Sequence, residues 1–252
     1  LKAEKEELLR RLDLQYLLSK VPVKAHAPIL SDTSKLKDEF FSEELKGAFV
    51  LSIDIRKSTE LMLKAKTPDG FAAFMTRLCE QLEALVHANL GIVDKFTGDG
   101  LLAFFPQFFS GQDAGYRVVA CAHSAHAVFA ELYETSYSAF STVLLDVGLG
   151  IGIDYGPVKL VKVAGSLTVV GAAVVYACRM GSAPAGRTYV NQEAYEQIVG
   201  KFNNSCSIRK ESHSIKDEGT VRNVLAYDVH LNGRKYQPKL PEWLVQVELD
   251  GM

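Results

Sequence analysis

Val143, Leu145, Val147, Leu149, Ile151 and Ile153 alternate strictly, with Gly148, Gly150 and Gly152 between them, and this stretch constrains the chain more than any other. Side chains in a strand alternate faces with period two, so the branched residues mark one apolar face and the glycines mark the opposite one. An apolar face needs a core to bury it. A face carrying three glycines allows close approach by another backbone or a ligand. Residues 143 to 153 are therefore expected to be a strand pressed on its bare side by a neighbour.

The other elements follow from similar patterns. Ala48-Phe49-Val50-Leu51-Ser52-Ile53-Asp54-Ile55 is a mostly apolar run rich in β-branched residues, as expected of a strand buried on both faces. Thr67-Pro68-Asp69 starts a helix with an N-cap, a proline at the first position and an acid in the first turn. Its inner stripe is Phe71, Phe74, Met75, Leu78, Leu82 and Leu85. Ile92 to Phe96 and Leu101 to Phe105 flank Thr97-Gly98-Asp99-Gly100, a hairpin signature. A second helix is expected from about Ala114 to Tyr133, a hairpin around Ala164-Gly165-Ser166 and a third helix over roughly Ala172 to Gly181. A short strand at Thr188 to Asn191, a short helix at Glu193 to Val199 and a closing strand pair within Ser207 to Val229 complete the body. The order β-α-β-β-α-β followed by a further hairpin is an α+β, ferredoxin-like pattern with additions.

Before this body, residues 3 to 19 carry leucines at helical spacing, and Val21 to Lys37 reads as a linker or wrapping arm. The helix is read either as packing on the body or as a dimer contact. After the body, Trp243 lies in a tail with Pro238 and Pro241 that is expected to pack on it. Three segments result: an arm over 1–46, a central domain over 47–232 and a tail over 233–252.

Composition narrows the partners. A chain of 252 residues with formal net charge −2 carries no global electrostatic footprint for nucleic acid or an anionic membrane. Its apolar runs are broken well before a membrane span would be complete, and Cys79, Cys121, Cys178 and Cys206 are widely spaced without a CxxC pair. A reduced, cytoplasmic setting is expected. His123 and His126 form no ligand cluster and read as a helix-surface pair.

Two acids stand at strand ends, Asp54 on the first strand and Asp99 in the hairpin turn. In this topology their strands are neighbours, so the carboxylates meet at one edge. Paired carboxylates repel, and a divalent ion with a preference for hard oxygen ligands resolves the conflict. Asp-Gly is also a favoured hairpin turn whatever the function, and the alternative for Asp54 alone is an N-cap for the following turn. Arg56, Lys57, Ser58 and Thr59 follow where a strand turns into a helix, a plausible polyphosphate cradle or simply a solvated loop.

Taken together these pieces resemble the class III nucleotide cyclases, the adenylate/guanylate cyclase family. The matching segments are Ser52-Ile53-Asp54-Ile55, Lys95-Phe96-Thr97-Gly98-Asp99-Gly100, Gly152-Ile153-Asp154-Tyr155-Gly156-Pro157-Val158 and Val170 to Met180, in family order. The resemblance covers roughly residues 47 to 229. It implies a central, mostly antiparallel sheet flanked by helices, and a homodimer with two composite sites. It further implies that Asp54, Asp99 and the Ile55 carbonyl hold two Mg²⁺ or Mn²⁺ ions, with Arg179 of the facing protomer acting on the triphosphate. Lys95 and Thr168 would read the base, and Lys216 lies near the family's phosphate-binding lysine.

Two departures stand out. Val175 occupies the position, one helical turn before Arg179, where the family has a nucleotide-binding asparagine, and a valine side chain makes no hydrogen bond. Tyr176 and Tyr155 are the candidates to take over at the sugar, although Tyr176 also reads as a packing residue. Arg56-Lys57-Ser58-Thr59 replaces the family's Gly-Phe-Thr ending. With these departures, DIRKSTELM and VVYACRMGSAPAG resemble the bacterial pyrimidine cyclases of the Pycsar antiphage system. That resemblance implies a cyclic pyrimidine messenger acting on a separate effector protein, with UTP favoured over CTP. An adenylate cyclase and a degenerate, non-catalytic dimer module are the alternatives.

Overall fold

The computed structural model describes residues 11–31, 35–163, 166–217 and 219–250. Its sheet runs β2(Ile92–Phe96), β3(Gly100–Pro106), β1(Lys46–Arg56), β4(Gly148–Val163), β6(Arg187–Val190), β8(Thr220–Leu231), β7(Cys206–Asp217), with β5(Ser166–Val170) paired to β4 off this path. The pairings are antiparallel except β4 with β6. The expected α+β architecture is therefore present, and the first four strands keep the ferredoxin-like order.

One face of the sheet packs under α5(Pro68–Ala88), α7(Ala114–Thr135) and α9(Gln192–Phe202). Thr67 caps α5 by accepting the Gly70 N–H at 3.1 Å, with Pro68 at its first position, and Phe74, Leu78, Leu82 and Val86 are its buried stripe. Phe49, Leu51, Ile53 and Ile55 of β1 meet that layer, while Ala48 and Val50 face the second core. The second core is closed by α8(Ala172–Met180) and by the N-terminal arm through Leu17, Val21, Ala25, Ile29, Leu36 and Phe40.

The arm is more structured than a linker. Residues 11–18 are the described part of helix α1, and α2(His26–Leu30) and α3(Lys35–Phe41) follow within the segment read as irregular. Residues 3–10 of the expected first helix lie outside the described residues. Leu17 is fully buried, whereas Leu12 is half exposed, so the helix packs on the body along one edge. At the other terminus, the tail ends in α10(Glu242–Asp250). Its Trp243 stacks on Phe109 of α6(Gln107–Ser110), ring centroids 5.0 Å apart, and donates Nε1–H to the Phe109 carbonyl at 2.7 Å.

Three expectations need correction. The alternating strand starts at Gly148, not Val143, because Asp146 adopts a left-handed φ of 59° and turns the chain before β4. Leu145 is left 81% exposed there. From Gly148, β4 then continues unbroken through Val163, merging two runs read as separate. His126 is not a surface residue: its Nε2 lies 2.9 Å from Thr188 Oγ1 in β6, and burial pulls its pKa down to about 4. All four cysteines are free thiols, and burial pushes Cys121 up to about 12. Among the described residues no helix is long and apolar enough to cross a membrane.

Asp154 of β4 is 2% exposed, and burial pushes its carboxyl up to about 7, against hydrogen bonds from the Tyr155 backbone and the Asn191 side chain. The folded state thus holds a proton that the unfolded chain releases near its ordinary value of 3.8. Stability contributed here is complete below that value and declines up to about pH 7, by at most roughly 1.4 kcal/mol per pH unit. Asp154→Asn removes this slope. Urea titrations from pH 4 to 8 should show the variant gaining on the parent as pH rises; a constant difference would contradict the assignment.

Candidate active site

The acids are brought together by backbone pairing. On β1 and β3, Asp54 lies directly opposite Gly100, so Asp99 in the hairpin turn is its diagonal neighbour. The approach is so close that a Cβ on Gly100 would sit 2.2 Å from the Ile53 carbonyl oxygen and 2.9 Å from Thr97 Oγ1. Only glycine fits there. Gly98, at φ 84°, supplies the left-handed turn that swings Asp99 back toward β1.

Arg56, two residues after Asp54 on the same strand face, forms an ion pair with the Asp54 carboxylate. Burial lowers its pKa, and the charge of Asp99 opposes that shift. The guanidinium thus answers both acids, a neutralising role that the loop's reading as a phosphate cradle did not include. Lys57 takes the left-handed conformation at φ 62° and leads into α4(Ser58–Lys64). Ser58 and Thr59 then line a cleft of about 610 Å³ together with Asp99, Phe96, Met75 and Cys79.

The bare face of β4 receives α8. A Cβ on Gly152 would lie 2.1 Å from both the Ala177 carbonyl oxygen and the Gly181 nitrogen, and one on Gly150 would lie 2.4 Å from the Ala183 carbonyl oxygen. The close approach expected from the three glycines is therefore made by backbone at the end of α8. That contact fixes the helix turn carrying Arg179, whose guanidinium lies 5.3 Å from the Tyr176 ring centre. The Arg179 carbonyl accepts from Ser182 Oγ at 2.6 Å, and buried His213 of β7 stands 2.9 Å from that hydroxyl. Val175 is half exposed on the same helix, whereas Tyr155 packs against Phe49 at 4.7 Å.

A third group forms where β2, β5 and the arm meet. Lys95 is half exposed, and Thr168 donates its hydroxyl to Asp94 Oδ2 at 2.9 Å. Sequence reasoning passed over Asp94, yet it is nearly fully buried and occupies a bulge between Val93 and Lys95. An Asp inside the apolar run Ile92-Val93 was the available signal, since Asp is depleted in strands. Lys216 is exposed on β7, paired across the hairpin with Val221. The structure thus gathers Asp54, Asp99 and Arg56 at one edge and Lys95 with Thr168 at another corner, and holds Arg179 on α8.

The donors at the first edge suit a hard divalent cation: two carboxylates and the adjacent Ile55 carbonyl are all oxygens, and their charge already attracts a cation in Arg56. Among the described residues no group of three or more His, Cys, Asp or Glu side chains gathers as a metal site.

The chain matches no protein-family model and no curated protein. Its structure does match solved ones. The adenylyl cyclase CyaB from P. aeruginosa superimposes with a TM-score of 0.65 at 21% identity, over 76% of this chain and 97% of that one. The guanylyl cyclase Cya2 gives 0.64 at 21% identity, over 76% and 95%. A bacterial light-regulated adenylyl cyclase gives 0.58 at 15% identity, over 93% of this chain and 63% of that one. The fold is that of the class III cyclase catalytic domain.

The seating of α8 makes a testable contrast. Gly152→Ala forces the helix end off the sheet and should cost about 1–3 kcal/mol. Gly156→Ala, whose Cβ would meet Ala173 Cβ at an ordinary 3.5 Å, should stay within about 0.5 kcal/mol of the parent. Urea unfolding of both variants reads the difference, and equal effects would refute the contact.

Proposed function

We propose that this chain is a nucleotide cyclase that converts a pyrimidine nucleoside triphosphate, UTP in preference to CTP, to the 3′,5′-cyclic monophosphate and pyrophosphate. The observation that carries the reading is the cross-strand placement of Asp54 beside the Asp99 turn, on a fold shared with adenylyl and guanylyl cyclases. The pyrimidine preference and a messenger role in antiphage defence, through a separate effector protein, rest on the resemblance of Asp54 to Met62 and Val174 to Gly186.

In this reaction the ribose 3′-hydroxyl gives up its proton to solvent water, its oxygen attacks the α-phosphorus in line to form a new O3′–P bond, and the bond to the β-phosphate oxygen breaks to release pyrophosphate. Asp54, Asp99 and the Ile55 carbonyl would hold two Mg²⁺ or Mn²⁺ ions. Bound there, the ions supply Lewis-acid activation of the hydroxyl and charge neutralisation of the leaving pyrophosphate. The chain's own part is positioning and electrostatics. Ser58, Thr59 and Lys57 present hydroxyls and a charge to the phosphates, and Arg56, which pairs with Asp54, adds a second cation. Lys95 and Thr168 contact the base. Arg179 reaches the triphosphate from the facing protomer of a homodimer, so each of its two sites is composite.

The test is direct. The dimeric protein is incubated with each of ATP, GTP, CTP and UTP plus Mn²⁺, and cyclic products are identified by mass. A cyclic pyrimidine product that disappears in Asp54→Ala and Asp99→Ala is the expected result; product from ATP alone overturns the pyrimidine assignment. Arg179→Ala should lower kcat by about 10²–10³ with a much smaller change in KM, as for other groups that act on transition-state charge. Half-exposed Val175, which makes no hydrogen bond to a nucleotide, favours a second reading as a non-catalytic dimer module. Failure of all four nucleotides would establish that reading instead.

A further inference from the structure

Asp94 combines complete side-chain burial with a surround of donors. Its Oδ2 accepts the Thr168 hydroxyl at 2.9 Å and lies 3.6 Å from the Lys95 ammonium. Its Oδ1 accepts the Val169 N–H at 3.1 Å and lies 4.0 Å from Lys20 Nζ, and Lys20 also donates to the Asp94 main-chain carbonyl. The side chain is 0% exposed, and two lysines from different segments flank it.

A carboxylate in such surroundings can only accept, and a hydroxyl has one hydrogen to give. Thr168 gives its hydrogen to Asp94. What its half-buried oxygen retains for a ligand is lone pairs alone. Lys95, half exposed beside it, offers donors alone. The two side chains therefore present one acceptor and one donor in a fixed arrangement, whereas an unheld threonine hydroxyl could rotate to serve either need.

We propose that Asp94 is a positioning residue that fixes the hydrogen-bond polarity of Thr168 beside Lys95, and thereby discriminates uracil from cytosine. The inference rests on the cyclase reading above and deepens it. The two pyrimidines present opposite patterns on neighbouring positions: uracil has N3–H beside a carbonyl oxygen, and cytosine has a bare N3 beside an amino group. With UTP preferred, the N3–H meets the Thr168 oxygen and the adjacent carbonyl meets Lys95. Cytosine in the same pose sets lone pair against lone pair and amino group against ammonium. A buried polar group left facing its own kind is costly, which is how a site built to hydrogen-bond one pattern rejects another.

The experiment measures kcat/KM for UTP and for CTP in the full chain with Mn²⁺, for the parent, Asp94→Asn, Thr168→Val and the double variant. The asparagine keeps the shape of Asp94 but offers Thr168 an N–H, which releases the hydroxyl hydrogen. Asp94→Asn should narrow the preference between the two nucleotides by about tenfold or more, chiefly in KM. Thr168→Val should narrow it comparably, and adding Asp94→Asn to Thr168→Val should change the ratio by less than about twofold, since the first acts through the second. An equal loss on both nucleotides in Asp94→Asn, or an undiminished effect in the valine background, overturns the proposal. Should Asp94→Asn fail to unfold cooperatively, Thr168→Val decides alone, and an unchanged ratio in that variant overturns it. A parent that turns over no pyrimidine triphosphate refutes the pyrimidine-cyclase reading and this inference with it; turnover with an unmoved ratio refutes the inference only.

Discussion

Strand β1 is hydrogen-bonded along both edges, to β3 from Ala48 to Asp54 and to β4 from Lys46 to Arg56. Both its faces are also buried, Phe49, Leu51 and Ile53 under the α5 and α7 layer, Ala48 and Val50 under the arm and α8. A slip of one residue would exchange the two faces, so two cores together fix its register. Asp54 takes its place on the strand from this register, and its carboxylate is then paired by Arg56. Gly100 then brings the Asp99 turn alongside, and Gly152 lets the end of α8 settle on the next strand. The candidate site is thus held by apolar burial and by glycines that leave room for backbone.

Polar burial does a different task, tying outlying segments to the sheet. Among the described residues, three buried carboxylates share it. Asp94 joins the arm to β5 through Lys20, Thr168 and Val169. Asp113 accepts from the Tyr236 hydroxyl at 3.0 Å and the Lys239 N–H at 2.8 Å, which straps the tail over the start of α7. Asp228 gathers Arg187, Arg209 and His230 from β6, β7 and β8. A buried carboxylate stripped of its donors is expensive, so each of these makes the position of a distant segment specific as well as favourable. Asp154 is the exception. Burial raises its pKa to about 7, and no cation is among the groups that shift it.

Most elements were legible because their signals are local. A capped helix with a proline start, an Asp-Gly hairpin and alternating apolar runs each declare themselves within a few residues. The misreadings were of two kinds. The start of β4 was lost to Asp146, whose left-handed turn breaks an alternation that the sequence continues. The arm's short helices and the burial of His126 depend on what packs against them, and periodicity over five to seven residues carries little of that. At the site, the residues named from motifs fall at a strand edge, on α8 and at the β2–β5 corner, whereas Asp94 and the pairing of Arg56 with Asp54 went unseen.

By itself the sequence determined the order of elements, the two acids at strand ends and the glycine face of β4. These follow from side-chain period, turn chemistry and the absence of a Cβ, which are properties of neighbouring residues. Only the tertiary structure decided that the arm closes the second core, that Arg56 turns onto Asp54, and that Thr168 spends its hydrogen on Asp94. Each of those pairs segments far apart in the chain or depends on how a side chain is turned. Their energies come from burial and hydrogen-bond geometry, which exist only once the sheet has brought the partners together.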